Sequence, residues 1–66
     1  MPMKGGLLWI AEDRKGYGAA AWEVDDEAQA RRMARHKDPT MFFCYQGDGA
    51  VGKWTPWREF IAEPVA

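Results

Sequence analysis

Two glycines five positions apart, the second followed by lysine, give the stretch Gly47-Asp48-Gly49-Ala50-Val51-Gly52-Lys53 a G-x-x-x-x-G-K frame. In such a frame backbone N–H groups cradle phosphates and the lysine ammonium reaches their outer oxygens. The chemistry also needs a hydroxyl next in line to hold Mg²⁺, and this chain has Trp54 there. It further needs a helix whose N-terminus faces the phosphates, and Trp54-Thr55-Pro56-Trp57 is a poor helix start. The same residues spell G-x-G-x-x-G, which fails as a dinucleotide fingerprint on the same grounds. A glycine-rich turn accounts for the spacing without any nucleotide.

Other reactive sets are sparse. The chain has no serine and no asparagine, threonine only at 40 and 55, one histidine (His36) and one cysteine (Cys44). A Cys–His nucleophile pair exists on paper, but a lone cysteine in an apolar strand ordinarily behaves as inert core. One cysteine forms no internal disulfide, and with one histidine it makes no structural zinc site. The carboxylates are plentiful, yet no pair falls in an evident cleft, and a domain this small has little room for one. The reading is a non-enzymatic protein without cofactor or metal.

Charged and aromatic groups remain as candidates for binding. Glu23, Asp25, Asp26 and Glu27 set four carboxylates within five residues. Helix capping accounts for Asp25 and Asp26, and an acidic patch that meets a basic groove is compatible with capping. Arg31, Arg32 and Arg35 form a basic helix face, either a solvated outer surface or a phosphate contact. Phe43 and Tyr45 resemble an aromatic pair that stacks bases, but the segment lacks the RNP1 pattern and basic neighbours. Core packing claims at least one of Phe42 and Phe43. Trp54, Trp57 and Arg58 are of the types enriched at interface hot spots, and the two tryptophans suit core and interface equally.

The elements that must position these groups follow from the pattern. Leu7 to Asp13 reads as a strand, Arg14-Lys15-Gly16-Tyr17-Gly18 as a hairpin loop, and Ala19 to Val24 as the returning strand. In that strand Ala20, Trp22 and Val24 alternate toward the core against Glu23. Asp25 to Lys37 is a helix, with Asp26 and Gln29 at capping-box spacing. Ala30, Met33, Ala34 and the stem of Lys37 make its apolar stripe, with the arginines opposite and Glu27 able to pair with Arg31. Asp38-Pro39 stops it. Thr40 to Gln46 and Ala50 to Thr55 read as the third and fourth strands around the glycine turn, with Pro56 at a strand end or edge. Trp57 to Ile61 either extends the last strand after a bend or forms one helical turn. The expected fold is α+β in the order β-β-α-β-β, one antiparallel sheet with a helix across one face.

Composition then sets a tension. Four tryptophans, three phenylalanines and two tyrosines share 66 residues with a single clear helix. Leu7 to Ala11 and Met41 to Tyr45 are apolar on both strand faces, so an open apolar sheet face and association through it are expected. A formal net charge of −1 argues against a general nucleic-acid binder. No apolar run approaches the ~20 residues of a membrane span, and no signal-peptide core follows Lys4. The expectation is one soluble, cytoplasmic domain over residues 1–66, with 1–6 and 63–66 as flexible ends.

In size, in the scarcity of catalytic groups and in the strand-to-capped-helix stretch Trp22-Glu23-Val24-Asp25-Asp26-Glu27-Ala28, the chain resembles anti-CRISPR proteins, small inhibitors carried by phages and other mobile elements. The resemblance implies steric or electrostatic blocking of a host protein complex such as a CRISPR effector, with Glu23, Asp25, Asp26 and Glu27 occupying a site meant for nucleic acid. Phe43, Tyr45, Trp54, Trp57 and Arg58 would complete the contact. The alternatives are a nucleic-acid-binding module using Arg31, Arg32 and Arg35, or a structural homodimer subunit.

Overall fold

A computed structural model describes residues 5–47 and 52–62. Its elements are β1 (Gly6–Ala11), β2 (Ala20–Val24), α1 (Glu27–Ala34), β3 (Phe42–Gly47), β4 (Thr55–Pro56) and α2 (Trp57–Ile61). The four strands form one antiparallel sheet in the order β2-β1-β3-β4. The α+β class and the first four elements match the sequence pattern, and a second helix is added after β4.

Positive φ at Gly16 (85°) and Gly18 (71°) turns the β1–β2 loop, as the glycine spacing required. Register then fixes the two faces of the sheet. Leu8 lies opposite both Trp22 and Tyr45, and Ile10 opposite both Ala20 and Phe43, so these residues share one face. Leu7, Trp9 and Ala11 share the other with Ala21, Glu23, Phe42, Cys44 and Gln46. Both helices cover the first face, where Leu8, Ile10, Val24, Ala30, Ala34, Phe43 and Phe60 make the core. Phe43 and Phe60 stack there with centroids 5.6 Å apart.

Helix α1 begins as its sequence dictates. Asp26 Oδ1 accepts from the Gln29 N–H at 2.8 Å, and Gln29 Oε1 accepts from the Asp25 N–H. The first bond satisfies a donor that the first turn leaves unbonded, and the second ties down the N–H just before the cap. After Ala34 the turn tightens through His36 N–H to Met33 O and Lys37 N–H to Ala34 O. Asp38 Oδ1 then accepts from both the N–H and the hydroxyl of Thr40.

Two expectations need correction. The second strand does not send Ala20 and Trp22 into the core. It is an edge strand beyond most of the helix layer, and of its residues only Val24 is buried. The proposed strand from Ala50 to Thr55 lies partly outside the described residues. Of the remainder only Thr55 enters a strand, and that strand ends at Pro56, which has no N–H to continue a ladder. Of the two forms open to Trp57 to Ile61, the helical one is taken.

Candidate interaction surface

Each helix has its C-terminal carbonyls bonded by a side chain of the other. Trp57 Nε1 donates to Ala34 O at 3.0 Å, at the end of α1. In return Arg31 donates to Phe60 O and, at 2.9 Å, to Ala62 O, while Arg35 donates to Ile61 O at 3.1 Å. These carbonyls have no partner within a five-residue helix, and guanidinium charge suits their end of its dipole. Arg31 also covers the Phe60 ring, 5.3 Å from its centroid, and pairs with Glu27 at 2.7 Å. Arg31 and Arg35 therefore turn toward α2, away from the solvated outer face expected of them. Arg32 is exposed.

Several aromatic candidates are internal. Phe43 is fully buried and offers nothing to a partner. Tyr45 packs half-buried against the core. Trp57 is half-buried and committed through its indole N–H to Ala34. The Trp54 indole lies against Gly16, where an added Cβ would come 2.7 Å from the ring. Arg58 is exposed on α2. The aromatics that reach solvent most are Tyr17, 71% exposed at the hairpin tip, and Trp22, 39% exposed on β2. The sequence pattern had put Trp22 in the core. Its ring carries Lys37, whose ammonium sits 4.9 Å from the ring centroid.

The sheet face away from the helices is less open than the strand sequences imply. A Cβ at Gly52 would fall 2.3 Å from Cys44 Sγ, so Gly52 packs onto this face, and the Trp54 ring reaches the β1–β2 loop at Gly16. Cys44 and Ala11 are buried, and burial pushes the Cys44 thiol up in pKa. His36 is exposed in the turn that follows α1, whereas Cys44 is buried on the sheet face that the helices do not cover. Leu7, Trp9 and Phe42 stay half-exposed, with Trp9 Nε1 donating to Gln46 Oε1 at 2.7 Å.

The acidic residues keep their exposure. Glu23 projects from the open face opposite Leu7, and Asp25, Asp26 and Glu27 follow at the corner where β2 gives way to α1. Asp26 caps the helix and Glu27 pairs with Arg31. The carboxylates of Glu23 and Asp25 pair with nothing among the described residues.

The stretch with the phosphate-loop spacing is described only at its two ends. Its residues 48–51 lie outside the described residues, and Gly52, Lys53 and Trp54 lead into β4 without forming a helix or a strand. Lys53 lines a shallow recess of about 260 Å³ with Glu27, Arg31, Tyr45, Thr55 and Glu59. Acids and bases alternate around it, so it presents no field of one sign to an anion. Among the described residues no group of three His, Cys, Asp or Glu stands close enough to share a metal ion, and no helix is long and apolar enough to cross a membrane. No family model, curated protein or solved structure matches the chain.

Proposed function

We propose that the protein is a non-enzymatic interaction protein that occludes a functional surface on a larger host protein complex, in the manner its resemblance to anti-CRISPR proteins implies. The reading is carried by one juxtaposition. Glu23 stands beside the half-exposed Leu7 on the sheet face that no helix covers, with Asp25 following at its corner, and the two carboxylates have no partner among the described residues. Apolar contact area supplies affinity there, and the carboxylates supply orientation and on-rate toward a basic, nucleic-acid-binding groove. Asp26 and Glu27 add negative charge at the same corner while holding the helix.

The test is binding to a reconstituted CRISPR effector, with inhibition of its target cleavage read in parallel. Glu23→Lys with Asp25→Lys is the informative variant, because neither side chain holds the fold. The expected result is a salt-dependent fall in association rate of about tenfold or more. Tighter binding of this variant to DNA or RNA, with effector binding absent in the parent protein, would overturn the reading in favour of a nucleic-acid binder.

A further inference from the structure

The two borders of the sheet are built differently. β4 is two residues long, contains Pro56 and runs straight into α2, so it offers a second strand almost nothing to pair with. β2 is five residues long and pairs with β1 without a bulge. It carries no proline and no lysine, and Ala20, Ala21, Trp22 and Glu23 are all exposed. Its one charge, Glu23, projects from the sheet face and does not guard the edge. Edges are ordinarily protected by proline, lysine, a bulge or brevity, and β2 has none of these.

The geometry points to a homodimer in which β2 pairs antiparallel with β2 of a second copy, across a two-fold axis through Trp22 perpendicular to the sheet. The occupant follows from the strand itself. An axis of that kind keeps residues of like parity opposite one another, and all five residues overlap only when the axis passes through Trp22. Trp22 then faces Trp22 of the second copy, Ala20 faces Val24, and Ala21 faces Glu23. Moving the axis one residue on would set the two Glu23 side chains against each other. Lys37 already holds each indole on the helix side. The two ammonium groups sit at the solvent boundary, where salt screens them. The antiparallel sense also brings Asp25 and Asp26 of one copy toward the hairpin end of the other, where Arg14 and Lys15 are exposed beside Glu12. Because both outer borders of the eight-stranded sheet are then β4, assembly closes at two copies. The pairing borders the acidic corner of Glu23 and Asp25, and it makes the open face continuous across both copies.

Sedimentation equilibrium on the full chain, from about 1 µM to about 1 mM, is the first measurement, and a reversible monomer–dimer equilibrium is expected. Ala21→Lys and Ala21→Glu then read the register. Lysine at 21 meets Glu23 of the second copy at two symmetric positions and should tighten the dimer. Glutamate should loosen it, by about tenfold in each direction. Trp22→Cys should cross-link to itself on mild oxidation, since on-axis Cα atoms of such a pair lie about 4.5–5.5 Å apart. Ala20→Cys, off the axis, should not. Circular dichroism checks that each variant is folded, and the Trp22→Cys result decides if the Ala21 variants are not. A protein monomeric throughout, a dimer indifferent to both charges at 21, or Ala20→Cys cross-linking as readily as Trp22→Cys would overturn the proposal.

Discussion

Arg31 joins more of the structure than any other charged side chain described. Its guanidinium donates to the carbonyls of Phe60 and Ala62 at the end of α2, lies over the Phe60 ring and pairs with Glu27 four residues back on its own helix. Those roles differ in weight. An i,i+4 ion pair whose acid is half-exposed is worth only about 0.3–0.5 kcal/mol. Charge-assisted bonds to carbonyls at a partly buried helix end are each worth about 1.5–3 kcal/mol. Arg31→Ala should therefore lower stability by about 2–3 kcal/mol, whereas Glu27→Gln should cost no more than about 0.5 kcal/mol. Arg31→Lys should recover less than half, because a single ammonium cannot span two carbonyls and a ring together. Urea unfolding of the three variants is the check. Equal losses for Arg31→Ala and Glu27→Gln would show that the ion pair, and not the helix end, is what Arg31 serves.

At the scale of elements, Gly52 explains the phosphate-loop spacing. It sits where it does because its α-carbon presses on β3: a Cβ there would lie 2.3 Å from Cys44 Sγ and 2.7 Å from Tyr45 O. The carbonyl belongs to a paired strand and cannot yield, so Gly52→Ala should lift the covering segment off the open face and cost about 1–3 kcal/mol. Cys44 should then react with a thiol reagent well before global unfolding. A Gly52→Ala protein as stable as its parent, with Cys44 still protected, would count against that packing. The same comparison marks what could be read from the residues alone. Helix α1 was legible because Asp26, Gln29, Ala30 and Ala34 each act locally, through capping and a 3.6-residue period. The β1–β2 hairpin was legible from its glycines. Helix α2 was ambiguous, since five residues after a proline carry too little period to separate a turn from a strand. Trp22 was misplaced because alternation reports which face a residue takes, not whether a helix lies above it. The covering of the open face depends on where Gly52 and Trp54 land across β3, a tertiary fact with no local signal. Of the candidate site, the acidic run was visible directly, whereas the mutual capping of Arg31, Arg35 and Trp57 was hidden by a contact 23 to 31 residues away in sequence.

For the molecule as a whole, the order β2-β1-β3-β4 makes β1 a central strand that closes on β3 only after β2 and α1 have been laid down. The core of this 66-residue chain has no disulfide to support it, its single cysteine being free and buried. Under such conditions a five-residue helix near the end of the chain carries unusual weight. α2 supplies Phe60, which stacks on Phe43 at the centre of the core, and Trp57, which bonds the end of α1. It also supplies the carbonyls that hold Arg31 and Arg35. Removing it would uncover Phe43, leave two guanidinium groups without those acceptors and open the core to solvent. A chain ending at Pro56 should therefore lose the whole fold together, not fray at one border. Far-UV circular dichroism should show loss of α1 along with the sheet, and amide resonances of β1 and β3 should collapse into the unfolded range. The full chain should unfold in one transition, seen alike by tryptophan fluorescence and by circular dichroism. A truncated protein that keeps a cooperative transition and dispersed β1 amides would show that β1, β3 and α1 form a core of their own, with α2 only an attachment to it.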